Sequence, residues 1–567
     1  MRRSHWIVTA FPAAITVVLL ASFFLRVYRL DTQSLWYDEG NSAVMASRTI
    51  SQIIVNAAAD IHPPFYYILL HVWSLATGNS EFALRYLSVV FGMLTVATAI
   101  ALGCRLWRMS VGVLAGALCA ISPFLVYYAQ EARMYAQLCA LASLSTYTFV
   151  RLAEIGTARS AYLSPATSQN RSDRGPWMSI LGRDAVLPAA YVLTTSAMLY
   201  TQYFSFSVLL VQVALSLVLV LQRCPLRSTA LLFLLQGIAV MLYAPWLPAL
   251  FRQLGVWATS ATQIAAEALL HNAFLVFSFG LSWDATTTSK SQLLVGIVLA
   301  LGLVADLIRT RSAPGTTTRY FPAMLLLLVM PLGVVSLLEI RRPTYQPKLV
   351  IPAAVAFELL LSAGMITMGT LVSRLVPIWP YSSRRLAACV WRRRTDLLTA
   401  SVDRRIARET RWWQAGSAIA VVLFLLLPVG FFDARSLRAY YFDSKYSRDD
   451  YRGVARFLEA QGTDGDAIVL NAPSQIEVLS YYYRGPLPQH PLPRQRPLDR
   501  SLTEKDLTDL AIRYVRVWIV EWAVNESDPE SFINAWLGER YPVSKIRQFG
   551  QVKVLRYDLQ AGRTEPN

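Results

Sequence analysis

Residues 35–67 read LWYDEGNSAVMASRTISQIIVNAAADIHPPFYY, a polar stretch that follows the apolar run beginning at Trp6. It carries an adjacent acid pair, Asp38 and Glu39, and then Asp60 and His62 just before Pro63 and Pro64. Carboxylates are costly in hydrocarbon, so this many polar groups beside a membrane entry point belong at the interface or in a water-filled cavity. The stretch marks the first exit from a membrane and the first place to seek chemistry.

Outward from it, the 567-residue chain is 54% hydrophobic and 12% aromatic. Uncharged runs long enough to span begin at Trp6, Tyr86, Val111, Ala136, Ala185, Phe204, Thr229, Leu293, Tyr320, Leu349 and Ala415. They predict a polytopic α-helical membrane protein of about eleven transmembrane helices, or about thirteen if the short apolar stretches Phe65 to Ala76 and Ala268 to Trp283 also cross. The first run is long enough to span and no small-residue cleavage site follows it. It is therefore read as a retained helix, with Arg26, Tyr28 and Arg29 as interface anchors.

Parity decides the short stretches. With Arg2 and Arg3 inside and both stretches left out of the count, the basic connectors Arg105 with Arg108, Arg151 to Arg183, Arg223 with Arg227, Arg309 to Arg319 and Arg374 to Arg411 all fall inside, as the positive-inside rule requires. The two stretches are then external juxtamembrane or re-entrant helices. The same connectors explain the net charge of +17, so nucleic acid is not an expected partner. The five cysteines lie in apolar spans or basic connectors without paired spacing, which indicates neither disulfides nor zinc.

This topology predicts residues 1–434 as a transmembrane catalytic domain, with a first external loop at 29–84 and a basic cytoplasmic loop at 373–413, followed by a small external α/β domain at 445–567. In the tail, helices are expected over 449–460, 475–483, 501–513 and 529–537, strands over 466–471 and 514–522, and a hairpin over 544–559 turning near Gly550. Ser501 and Glu504 have capping-box spacing, and the Pro-rich segment 486–497 is expected to be an extended loop.

The topology also gathers the polar motifs on the outer side: Asp38-Glu39, Asp60-His62, Gln130 to Tyr135, Tyr200 to Tyr203, Pro245-Trp246 and Arg341 to Lys348. The acid pair reads either as residues flanking a helix N-terminus or as a general base with an assisting carboxylate. Arg133 runs against the charge bias of the connectors and calls for an anionic partner, for which phosphate suits the guanidinium fork. Lys348 is a second outer cation at the mouth of a span, whereas Arg341 and Arg342 read as snorkelling to headgroups. Glu358, inside a span, is either a functional charge or one neutralised within the bundle.

The order Trp36-Tyr37-Asp38-Glu39, Asp60-Ile61-His62-Pro63-Pro64-Phe65-Tyr66-Tyr67 and Gln130-Glu131-Ala132-Arg133-Met134-Tyr135 resembles bacterial GT-C-fold glycosyltransferases of the protein mannosyltransferase and lipid A aminoarabinose transferase superfamily, glycosyltransferase family 39-like. Tyr200 to Tyr203 and Pro343 to Lys348 extend the likeness across most of the membrane domain. Relatives commonly carry His at the position of Gln202 and Arg at that of Lys348.

The resemblance implies a multi-pass protein of the bacterial inner membrane, with its active site and C-terminal domain facing the periplasm. Its partners would be membrane lipids, a polyprenyl-phosphate sugar donor, and an acceptor glycan, lipid or protein. An acceptor hydroxyl would attack with inversion, Asp38 would be the base and Glu39 would assist acceptor binding. Asp60, His62, Glu131, Arg133, Tyr135, Gln202, Tyr345 and Lys348 are the candidates for donor-phosphate and sugar contact. No cofactor or metal is expected, because Arg and Lys already face a monophosphate leaving group. The rival readings are a lipid-linked glycan flippase, a polymerase or ligase using a lipid-pyrophosphate donor, and an external binding protein on a passive anchor.

Overall fold

The computed structural model describes residues 2–162, 185–256, 264–283, 289–312, 321–343, 345–375, 396–472, 474–494 and 498–560. The central part of the basic loop 373–413, and most of the connectors 151–183 and 309–319, lie outside the described residues.

Helix α1 (Arg2–Val27) leads into the short helices α2 (Tyr37–Ser47), α3 (Ile50–Ala59) and α4 (Phe65–Thr77). The bundle continues with α5 (Glu81–Leu106), α6 (Met109–Ile121), α7 (Pro123–Ala129), α8 (Tyr135–Tyr162), α9 (Val186–Leu199), α10 (Phe206–Leu221), α11 (Leu226–Tyr243) and α12 (Leu247–Val256). It ends with α13 (Ala266–Phe279), α14 (Ser289–Ser312), α15 (Phe321–Glu339), α16 (Ile351–Leu375) and α17 (Asp396–Phe442).

Among the described residues, six helices are long and apolar enough to cross a membrane, or seven if the bent pair α6–α7 is one span. Shorter apolar helices occupy the other predicted runs, at Phe11–Val27, Val186–Leu199, Gln292–Leu301 and Met324–Glu339. Each predicted run coincides with helix, and six or seven of these helices meet the length and composition of a full span among the described residues, which leaves the count of about eleven crossings unconfirmed. Helices α4 and α13 have 13 and 14 residues. At 1.5 Å per residue they reach about 20 Å, against a hydrocarbon core of about 30 Å, so neither crosses alone.

The 61° bend between α6 and α7 has a local cause. Pro123 has no N–H, so the Cys119 carbonyl four residues earlier loses its helical donor. Arg26 replaces it, donating to Cys119 O at 3.0 Å and Ala120 O at 3.0 Å. Arg26 was expected to anchor at the interface; it is fully buried instead, because the broken helix needs its donors. Gln130, just past α7, donates to Arg26 O at 2.9 Å and Tyr28 O at 2.8 Å, satisfying carbonyls at the end of α1. These bonds tie the 130–135 loop to the exit of α1.

The tail comprises α18 (Tyr451–Gln461), β1 (Asp466–Leu470), α19 (Gln475–Tyr482), β2 (Gln489–Pro491), α20 (Arg500–Arg513), β3 (Arg516–Glu521), α21 (Val524–Ser527), α22 (Phe532–Gly538), β4 (Val543–Phe549) and β5 (Val552–Asp558). Its sheet has the order β2-β1-β3-β5-β4, with β1 parallel to β2 and β3, and β5 antiparallel to β3 and β4. Alternation divides β3 between two cores: Trp518 and Val520 face α18 and α19, while Val517 and Ile519 face α20 and α22.

Two expectations change here. The Pro-rich segment is not entirely loop, since Gln489 to Pro491 pair with Ile468 to Leu470. Helix α20 is capped by Asp499, which accepts the Leu502 N–H at 3.1 Å, and Ser501 donates to that cap at 2.8 Å rather than forming a box with Glu504.

Candidate active site

Asp38 and Glu39 lie together in the first turn of α2, where acids suit the helix N-terminus. Adjacent helical residues point in different directions, and the two carboxylates have different surroundings.

Glu39 is fully buried. Arg85 grips both its oxygens, Nε to Oε1 at 2.8 Å and Nη2 to Oε2 at 2.6 Å. Arg448 Nη1 stands 3.1 Å from Oε1, and the Ala132 N–H donates to Oε1 at 2.8 Å. Burial alone would raise the Glu39 pKa, but Arg85, Arg448 and these bonds hold it down at about 2. Glu39 was expected to assist acceptor binding. In the structure it is fully buried and enclosed by two guanidiniums and an amide, joining α2 to α5, the 130–135 loop and the start of the tail.

Asp38 turns the other way and remains one-fifth exposed. Its Oδ2 lies 3.7 Å from Arg133 Nη2 and 3.6 Å from Lys348 Nζ. Burial pushes its pKa up, but the charges of Arg133 and Lys348 outweigh burial and the carboxylate titrates below its ordinary value. Arg133 is itself buried and fixed by Tyr67 Oη at 3.3 Å, Ser42 Oγ at 3.4 Å and His62 Nε2 at 3.1 Å. His62 is half-buried beside Arg133; desolvation and that cation lower its pKa to about 3 and keep it neutral. The Lys348 ammonium lies 5.3 Å from the centre of the Tyr135 ring, within cation–π range.

The structure thus brings Asp38, His62, Arg133, Tyr135 and Lys348 into one cluster. They come from the α2 N-terminus, the 60–64 loop, the 130–135 loop and the turn at Pro347–Val350 that opens α16. Asp60 stands exposed at the end of α3, within electrostatic range of Asp38 and Arg133. Glu131 is buried beside the cluster; its Oε2 has no hydrogen-bond partner among the described residues, and burial raises its pKa to about 7.

Two candidates have local partners of their own. Gln202 Oε1 accepts the Phe204 N–H at 2.6 Å and opens a 3-10 turn. The Tyr345 hydroxyl donates to Asn272 at 3.0 Å, while its backbone N–H donates to Glu339 at 2.8 Å. Glu358 is buried in α16 ten residues beyond Lys348, roughly 15 Å along a helix axis from the cluster.

Arg85, Arg448, Tyr67 and Ser42 were not singled out from the sequence. Arg85 also donates to Leu30 O at 2.8 Å, Gln33 O at 2.7 Å and Ser34 O at 2.9 Å, so it fastens the whole link between α1 and α2. The signal was present: like Arg133, it is an arginine at the outer end of a span. Arg448, by contrast, reads in sequence only as the start of the tail. Among the described residues no group of three or more His, Cys, Asp or Glu is placed to hold a metal ion.

The fold and this cluster define a polytopic membrane protein of the GT-C fold, with a charged site at one end of the bundle and an α/β domain docked over it. No known protein family matches the chain by sequence, and no curated protein does. Among solved structures, it is similar to ArnT from Cupriavidus metallidurans in the apo state, with 14% identity, both chains wholly covered and a TM-score of 0.54. The same enzyme bound to undecaprenyl phosphate gives 14% identity, the same coverage and a TM-score of 0.53. The oligosaccharyltransferase AglB from Archaeoglobus fulgidus, in complex with an inhibitory peptide and a dolichol-phosphate, gives 11% identity over 91% of this chain and 70% of that one, with a TM-score of 0.55.

Proposed function

We propose that the protein is a glycosyltransferase that moves a sugar from a polyprenyl-phosphate-linked donor to an acceptor hydroxyl, with inversion, at the external face of the bacterial inner membrane. The observation that carries the proposal is the Asp38 carboxylate held between Arg133 and Lys348 at 3.7 and 3.6 Å. Two buried or half-buried cations facing one carboxylate form a ready receptor for a lipid phosphate. The solved neighbours bound to undecaprenyl phosphate and to dolichol-phosphate support that ligand class.

In the reaction, Asp38 takes the proton of the acceptor hydroxyl while its oxygen attacks the anomeric carbon. The bond from that carbon to the phosphate oxygen breaks, and polyprenyl phosphate leaves with its new charge against Arg133 and Lys348. The depressed pKa of Asp38 does not conflict with a base. The donor phosphate competes for the same two cations, so the carboxylate becomes more basic when the donor is in place. His62, neutral, holds the Arg133 fork. No step needs a metal, since the carboxylates are already met by guanidinium and ammonium groups.

The orientation is supported by charge. The cluster sits where α1 ends and α5, α8 and α16 begin, while Arg105, Arg108, Arg223 and Arg227 lie at the opposite ends of their helices. Transfer from a panel of polyprenyl-phosphate sugars in proteoliposomes tests the reading. Consumption of one donor by the wild type, with loss in Asp38→Asn and Arg133→Ala, is the expected result. Full turnover by folded Asp38→Asn would overturn the base assignment.

A further inference from the structure

The C-terminal domain seats directly on the helix that carries Asp38. Tyr37, the residue before it, stacks on Trp522 with ring centroids 4.2 Å apart and planes 12° from parallel. Gly40, one turn on, lies so close to α19 that a Cβ there would meet Val478 Cβ at 2.3 Å. Arg48, just past α2, pairs with Glu477 at 3.0 Å. The approach to α2 is fastened as well: Ser34 Oγ donates to Asp449 O at 2.7 Å, the Leu35 N–H donates to Tyr482 Oη at 2.6 Å, and the Arg448 N–H donates to Gln33 Oε1 at 2.9 Å.

Trp522 is not a loose surface ring. It follows the central strand β3, and Asn471 at the end of the neighbouring β1 binds its backbone on both sides: the Trp522 N–H donates to Oδ1 at 2.7 Å and its carbonyl accepts from Nδ2 at 3.0 Å. The stacking platform is thus as rigid as the sheet.

We infer that the C-terminal domain is a positioning clamp, in which Trp522 sets the azimuth of α2 through Tyr37 and thereby holds the Asp38 carboxylate between Arg133 and Lys348. The inference rests on Asp38 being the base. Asp38 directly follows the residue that stacks on Trp522, so a shift of the Tyr37–Asp38 backbone at the start of α2 moves the Asp38 carboxylate relative to the two cations. Misplacing a catalytic group by about 1 Å can cost about 100-fold in rate.

The test uses the full-length protein in proteoliposomes. Trp522→Ala should lower kcat by about 10- to 100-fold without raising donor KM, since cations released by Asp38 bind the donor phosphate at least as well, and Trp522→Phe should recover most of the loss. The acid limb of the kcat/KM–pH profile, which reports the free enzyme, should also move to higher pH in Trp522→Ala, because an Asp38 carboxylate that drifts from the two cations loses what depresses its pKa. Tyr37→Ala should reproduce both effects without adding to them in the double variant, which keeps the idea testable if one variant folds poorly. Wild-type kcat and pH profile in either folded single variant, with Asp38→Asn inactive, would overturn the clamp and leave the base standing. Turnover by Asp38→Asn would remove the base reading itself.

Discussion

Arg85 holds Glu39 by both carboxylate oxygens in a pair from which solvent is excluded. Removing one partner of a buried pair leaves an uncompensated charge, a loss of about 3–5 kcal/mol. Arg85→Ala should therefore lower the thermal stability of the detergent-solubilised protein severely, while Glu39→Gln, which keeps the shape but not the charge, should do so less. A melting temperature unchanged in Arg85→Ala would show that the pair is not structural. Acid should reveal the same joint: a carboxyl held at about 2 contributes stability above its ordinary pKa of 4.5 and loses it as pH falls from there toward 2.

Asp38 contrasts with its neighbour. Its carboxylate has two cations at 3.6–3.7 Å and residual exposure, so Asp38→Asn should leave the fold intact and cut kcat by about 10²–10⁴, the usual contribution of a positioned general base. The informative comparison is the paired one. Glu39→Gln should lose stability in proportion to activity, whereas Asp38→Asn should lose activity alone, read by melting and turnover on the same preparation.

Glu131 is a buried carboxyl with an unpartnered oxygen and a pKa raised by burial to about 7. Between its ordinary 4.5 and about 7 the folded state binds more protons there than the unfolded state, so this group makes stability fall as pH rises through that window. Glu131→Gln should flatten that slope without abolishing the fold. Melting curves for the two proteins that remain parallel from pH 5 to pH 8 would exclude the effect.

How much of this was legible beforehand follows from the range of the forces. The apolar runs reported helices correctly because hydropathy is local, and the motif order pointed to the GT-C fold now seen. What sequence could not give was partnership. Asp38 and Glu39 look equivalent as neighbours, and only the 46-residue reach to Arg85 and the far longer one to Arg448 separate their roles. Arg26 looked like an anchor until the break at Pro123 exposed carbonyls 93 and 94 residues away. Gln202 kept its motif position but serves a local turn, and β2 hid in a Pro-rich segment because its pairing is with β1, not with a sequence neighbour.

Arg133 and Lys348 face Asp38 in the structure, and the proposed donor brings a phosphate to the same pair. Carboxylate and phosphate then compete, which reverses the usual expectation for a catalytic variant. Asp38→Asn frees both cations and should bind polyprenyl phosphate more tightly, by about tenfold if the gain is near 1.4 kcal/mol, although it cannot turn over. Lys348→Ala should weaken the same binding, and Lys348→Arg should retain or improve it, since a guanidinium offers the phosphate two parallel donors. Binding measured by tryptophan fluorescence or calorimetry in nanodiscs checks all three. Weaker binding in Asp38→Asn together with unchanged binding in Lys348→Ala would mean that the phosphate sits elsewhere, and that the cations serve only to fix the carboxylate.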